Sequence, residues 1–145
     1  MTRQQFIDAM ADAIAYAEGF YVTGSRAYRN NNPGNITLDI TGTAVGNDGM
    51  FMVYRTALDG WDALKYQIAL IVDDTSGIYN SDMTIREIAQ RYTTTQQFEW
   101  ASNVASRLGV SLDVPISSLI TGATVAGGAG VLILLIAAFV YYKRV

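Results

Sequence analysis

Residues 114–142 carry no charged side chain, and the run ends in VLILLIAAFVYY before Lys143 and Arg144. No other feature of the 145-residue chain restricts its fold as strongly. A helix that crosses hydrocarbon needs about 20 predominantly apolar residues, each rising about 1.5 Å. The most apolar part, Val131–Val140, is too short alone, so the expected transmembrane helix takes in the Gly/Ala-rich stretch and covers residues 119–142. Tyr141 and Tyr142 supply interfacial aromatics, and the basic tail 143–145 supplies a positive anchor. A buried core helix is the alternative, but a domain of this size has little with which to surround so evenly apolar a segment.

The charge is divided to match. All thirteen acidic residues lie at or before Asp113, together with eight of the ten basic ones, a balance of −5 against +2 for the tail. The positive end is expected on the cytoplasmic side of a single-pass span, with the N-terminal domain on the opposite side. MTRQQFIDAMADAIAYAEGF carries Arg3, Asp8, Asp12 and Glu18, so no secretory signal pattern is expected there. Gly122, Ala126 and Gly130 recur every four residues, a spacing that permits helix–helix self-association. Small residues that merely fill out a weakly apolar stretch would leave the same pattern.

Composition removes whole classes of chemistry. Without cysteine there are no disulfides, thiol nucleophiles or thiolate metal sites, and without histidine there is no Ser-His-Asp triad and no imidazole base. Neither a metal nor a cofactor is expected. The net charge of −3 argues against nucleic acid as a partner. Acid–base work falls to Asp, Glu, Lys, Tyr or water.

The first 113 residues read as one α+β domain, followed by a linker over 114–118. Phe6, Met10, Ala13, Ile14 and Ala17 share a stripe, predicting a helix over about 3–18 that stops at Gly19. Residues 20–34 read as irregular loop, with Asn30-Asn31-Asn32-Pro33-Gly34 as turn chemistry. Short β-type runs follow at Asn35–Ile40, Thr43–Val45 and Met50–Tyr54, predicting a small antiparallel sheet with tight turns. Helical periodicity returns from Ala57 to Asp73. A further helix is expected from Thr84, with Glu87 at capping-box spacing, and another over Gln96–Leu108 ending at Gly109.

Glu18, one of only three glutamates, falls at the end of the first helix among Ala13, Ile14, Tyr16, Ala17, Phe20 and Tyr21. Apolar walls and a helix C-terminus both disfavour the carboxylate anion and raise its pKa. Such a group holds a proton near neutrality and can deliver it to a leaving-group oxygen, as glycosidic cleavage requires. An ordinary surface glutamate at a helix end fits the same pattern.

The segment AEGFYVTGSRAYRNNNPGNI resembles the opening of small phage-encoded lysozyme-like proteins, in which a helix ending in Glu-Gly precedes an Arg-Asn-Asn-Pro-Gly-Asn segment. MFMVYRTALDGWDALKYQI is similar to that group's aromatic strand and Gly-Trp-x-Ala-Leu helix, and TIREIAQRYT to its Thr-Ile-x-Glu-Ile-x-x-Arg-Tyr helix. The resemblance implies a lysozyme-like helical domain with a small antiparallel sheet. It also implies membership of the virion-associated lytic transglycosylase or muramidase group, acting on host peptidoglycan at infection or lysis. It makes Glu18 the catalytic acid and places Ser25, Tyr28, Arg29, Asn30, Asn31, Asn32 and Asn35 in the cleft-forming segment.

A two-carboxylate hydrolase needs a second acid, for which Asp39 and Asp48 are the candidates, though Asp48 in Gly-Asn-Asp-Gly has the composition of a turn. A lytic transglycosylase needs one acid, which later acts as base, and the absence of histidine and thiol modestly favours it. The expected substrate-binding residues are Ser25, Tyr28, Asn30, Asn31, Asn35 and Tyr54. The asparagines could equally hold a turn, and Asn32-Pro33-Gly34 is expected to be mainly structural. Arg26 and Arg29 suit peptide carboxylates or plain solvation, Tyr21 could stack on a sugar ring, and Trp61, Tyr92 and Trp100 have core patterns, although the resemblance implies that the helices of Tyr92 and Trp100 can line the far wall of the cleft. The expected partners are a peptidoglycan glycan strand and a lipid bilayer, either a cell membrane with the C-terminus on its cytoplasmic side or a virion membrane with the C-terminus in the interior. The alternative is a structural membrane protein of a virion, with a lysozyme-like but catalytically inactive domain.

Overall fold

A computed structural model describes residues 1–122. Five helices and a two-stranded sheet make an α+β unit: α1 (Arg3–Ala17), α2 (Arg26–Arg29), β1 (Ala44–Asn47), β2 (Met52–Tyr54), α3 (Ala57–Val72), α4 (Ile85–Tyr92) and α5 (Gln97–Leu108), then a 3₁₀ turn over Ile116–Leu119. Three of the long helices begin at a threonine whose hydroxyl accepts a backbone N–H of the first turn: Thr2, Thr56 and Thr84. Thr2 and Thr84 form full capping boxes with Gln5 and Glu87. Gly19 and Gly109 take left-handed φ values of 76° and 73° where α1 and α5 end, a conformation that costs glycine little.

α1 forms the centre, packed between α3 and α5, with α4 against α5. Its buried stripe, Phe6, Met10, Ala13 and Ile14, meets Leu64, Ile68, Ile85, Ile88 and Val104 in one core. β1 and β2 pair antiparallel, with Ala44 opposite Tyr54 and Asn47 opposite Met52 and a bulge between Ala44 and Gly46.

Three expectations need revision. Residues 35–40 are not a strand: Asn35 is left-handed (φ 46°), which breaks extended backbone, and the segment's backbone pairs with the sheet through one bond, from Met52 N–H to the Ile36 carbonyl. The loop over 20–34 contains α2, whose N-cap is Ser25. Residues 114–118 are not a free linker. Ile116, Leu119 and Ile120 are buried in the core, Pro115 bridges to Thr84, and Thr121 N–H donates to the Met1 carbonyl. The folded unit therefore takes in the first residues of the uncharged run. No helix among the described residues is long and apolar enough to cross a membrane. The expected span lies, from residue 123 on, outside the described residues, as do Ala126 and Gly130.

Candidate active site

Glu18 is the C-cap of α1; its N–H still bonds the Ile14 carbonyl, and Gly19 then turns the chain away. Both carboxylate oxygens are held from distant parts of the chain. Trp100 on α5 donates its indole N–H to Oε1 at 2.8 Å, and Asn35 donates Nδ2 to Oε2 at 2.8 Å. The indole of Trp100 stacks on Tyr92 of α4, with ring centroids 4.8 Å apart, and Tyr92 donates its hydroxyl to the Gly34 carbonyl at 2.6 Å. The carboxylate thus sits in a closed circuit running through α5, α4 and the loop at 34–35 back to itself.

Burial raises the Glu18 pKa above the ordinary carboxylate value, and the donors Asn35 and Trp100 pull against that shift without cancelling it. Burial, reinforced by the charge of Glu18, also holds the Tyr92 phenol neutral, well above its usual pKa. A part-buried acid with raised proton affinity, walled by two aromatic rings, has the properties of a general acid.

The Asn-rich loop divides by role. Asn32 is fully buried and saturated: Nδ2 donates to the carbonyls of Ile36 and Met52, and Oδ1 accepts the Ile36 N–H. Asn31, left-handed at φ 51°, donates to the carbonyls of Tyr54 and Arg55. Asn30 donates to Asp48. These three tie the loop to β2 and the hairpin, so their amides are engaged in structure. Gly60 of α3 seats the same loop, since a Cβ there would lie 1.8 Å from the Asn31 carbonyl oxygen. Of the asparagines, Asn35 alone reaches Glu18.

The other expected residues scatter. Ser25 caps α2 by accepting the Tyr28 N–H, Tyr28 is exposed, and Tyr54 is 1% exposed and belongs to the core. Arg29 donates to the Gly24 carbonyl and Arg26 to Asp48. Asp48 also accepts the N–H groups of Met50 and Phe51. With Asn30 leading, these donors hold its pKa far below the usual range, so it is a hairpin fastener that stays ionised near neutral pH. Asp39 accepts the Ala44 N–H at the start of β1. Phe20, Tyr21, Tyr28 and Trp61 gather into an aromatic cluster just after Glu18, with Phe20 edge-on to Trp61 at 5.4 Å. Among the described residues no acidic cluster could hold a metal ion.

Pattern reading assigns Tyr92 and Trp100 to the core and misses their polar ends. The available signal is chemical: a buried indole N–H or phenol usually finds an acceptor, and on this chain Glu18 and Gly34 supply them. Asn35 and Tyr92 also line a cavity of about 290 Å³, between residues 35–40, the end of α3 and the segment 75–79. Compared with models of protein families, with curated proteins and with solved structures, the chain matches none of them.

Proposed function

We propose that the chain is a membrane-tethered lytic transglycosylase of the lysozyme-like kind, cleaving peptidoglycan glycan strands with Glu18 as the single general acid and base. The observation that carries this reading is the setting of Glu18: a raised pKa at a helix end, fixed by Asn35 and Trp100 and walled by Tyr92. Asp48 is committed to the hairpin, which removes one of the two candidates for a second carboxylate and supports the one-acid scheme.

In that scheme protonated Glu18 gives its proton to the glycosidic oxygen between N-acetylmuramic acid and N-acetylglucosamine, and the C1–O bond breaks. The muramic acetamido oxygen closes onto C1 and shares the developing positive charge. Glu18, now a carboxylate, takes the proton of the C6 hydroxyl as O6 bonds to C1 and the acetamido oxygen leaves. A 1,6-anhydro end results, no water is consumed, and Glu18 ends protonated as it began. Asn35 and Trp100 stabilise the anion that exists between the two proton transfers. The uncharged run after the folded unit supports a tether, which confines cleavage to wall close to the membrane.

One observation favours the second reading, an inactive domain used for assembly in a virion: each oxygen of Glu18 already accepts a side-chain hydrogen bond in the free protein. The experiment that separates them is incubation of the full chain with purified peptidoglycan and mass analysis of the soluble fragments, with Glu18→Gln in parallel. Anhydro-ended fragments that disappear in the variant support the transglycosylase. Reducing-end fragments mean hydrolysis and turn attention to Asp39. A folded protein that releases nothing supports assembly.

A further inference from the structure

Two donors hold Glu18, and one residue bears on both of them. The Tyr92 ring stacks on the Trp100 indole at 4.8 Å, and the Tyr92 hydroxyl donates to the Gly34 carbonyl at 2.6 Å, next to Asn35. That carbonyl belongs to the peptide unit between Gly34 and Asn35. The other end of the unit, the Asn35 N–H, donates to the Asn32 carbonyl at 3.1 Å. A peptide unit is rigid, so bonds at its two ends fix its plane. The φ of Asn35 is the rotation out of that plane. At 46° it is left-handed, where a side-chain-bearing residue stays only when its surroundings hold it. The contact is closely fitted as well. A Cβ at Gly34 would lie 2.8 Å from the Tyr92 hydroxyl and 2.7 Å from Leu64 Cδ1, so glycine is what lets the phenol reach the carbonyl.

The side chain of Asn35 has little else to steer it. Nδ2 donates to Glu18, while Oδ1 is buried with no hydrogen-bond partner among the described residues. An amide engaged at one end takes its direction largely from the backbone that carries it. The Tyr92 hydroxyl makes one of the two bonds that hold the peptide unit before it.

We propose that Tyr92 is a positioning residue for the general acid: through the Gly34 carbonyl its hydroxyl sets the backbone of Asn35 and so aims Nδ2 at the Glu18 carboxylate. The inference rests on the reading of Glu18 as a glycan-cleaving acid. It gives a task to a phenol that no proton transfer in that scheme uses, which is to keep a donor in place while the carboxyl alternates between acid and anion. The phenols of Tyr54 and Tyr79 act on Tyr92 in turn, and burial holds all three above their usual pKa. None of them changes charge where a carboxyl titrates.

The test follows the Glu18 carboxyl by carbon-13 NMR in the full chain, held in neutral detergent micelles and labelled at its three glutamates. Glu18→Gln assigns the signal. Wild type, Tyr92→Phe, Asn35→Gly and the double variant are titrated, each checked for folding by circular dichroism. Glycine removes the amide and accepts the left-handed backbone without strain. Tyr92→Phe keeps the ring on Trp100 and removes the hydroxyl alone. With Asn35 no longer aimed, the Glu18 pKa should rise by about half a unit or more, against roughly one unit for the loss of a whole donor. Tyr92→Phe placed in Asn35→Gly should add nothing, since the donor through which it acts is gone. A carboxyl unmoved by Tyr92→Phe overturns the proposal, even where the variant is less stable, and this result decides the matter if the double variant does not fold. An equal rise in both backgrounds overturns it too, because the phenol would then act on the carboxyl directly. The titration needs no turnover, so the outcomes separate. Glu18-dependent cleavage with an unmoved carboxyl keeps the enzyme and removes the positioning role. A rise that vanishes with Asn35 in a protein that cleaves nothing does the reverse.

Discussion

Trp100 and Glu18 are 82 positions apart in sequence and 2.8 Å apart in space, joined by the indole N–H and one carboxylate oxygen. Replacing Trp100 by Phe keeps a ring against Tyr92 and removes the donor. The Glu18 anion then loses one of its two stabilising bonds, and its pKa moves further up. If Glu18 must be protonated to act, the alkaline limb of kcat/KM should shift to higher pH in Trp100→Phe. An unshifted limb would show that the indole bond does not act on the titrating group.

Glu18 also makes folding pH-dependent in a direction opposite to most carboxylates. Its folded pKa is raised above the 4.5 of the unfolded chain, so the native state binds the proton more tightly. The associated stability is present below about pH 4.5 and is lost as pH rises through the folded pKa. Urea unfolding of wild type and Glu18→Gln at pH 4 and pH 8 should show wild type losing ground to the variant as pH rises. The opposite trend would contradict the burial that dominates the shift.

Asp48 should behave the other way. Its pKa is depressed by Asn30, the N–H groups of Phe51 and Met50, and Arg26, so its contribution is present above the ordinary value of 3.8 and fades as pH falls. Asp48→Ala should loosen the hairpin against α2 and remove part of the acid sensitivity of unfolding. Hydrogen exchange at Met50 and Phe51 is the local readout, and protection unchanged in the variant counts against a fastening role.

Gly60→Ala tests the seat of the Asn-rich loop. The added methyl would fall 1.8 Å from the Asn31 carbonyl oxygen and 2.9 Å from the Pro33 ring, one of them rigid backbone. Overpacking of this kind costs about 1–3 kcal/mol, sometimes more. Thermal unfolding should fall accordingly, and a variant as stable as wild type would mean that α3 and the loop can separate freely.

Ending the chain after Asp113 should leave it less stable than ending it after Gly122. The shorter form loses Ile116, Leu119 and Ile120 from the core. Each fully buried aliphatic side chain is worth about 1.5–3 kcal/mol, so the loss is a large part of a small domain's stability. Denaturant midpoints of the two truncations decide it.

Much of the fold was readable because its signals are local. α1, α3, α4 and α5 follow from periodicity, the Thr84–Glu87 box and Gly109 from cap chemistry, each within a few residues. What escaped depends on distance in sequence. The strand expected over 35–40 fails because Asn35 is pulled left-handed while its side chain reaches back to Glu18. The linker expected over 114–118 and the start of the span expected over 119–142 fail because Ile116 and Leu119 fill a gap that only the assembled helices create. In the site, Glu18 and Asn35 were legible as candidates, while the commitment of Asn30 and Asn31 to backbone and hairpin was not. Trp100 could not be given its role from α5 alone, because its acceptor belongs to another helix.

The two ends of the folded unit meet: the Met1 ammonium donates to the Leu119 carbonyl, and Thr121 N–H donates to the Met1 carbonyl. From that junction α1 runs its 15 residues to Glu18, a length of about 22 Å at 1.5 Å per residue. The helix is therefore a stand-off rod. Under the proposed tether, the carboxylate stands a helix length from the point of mooring, and the end that would meet a glycan is kept clear of it.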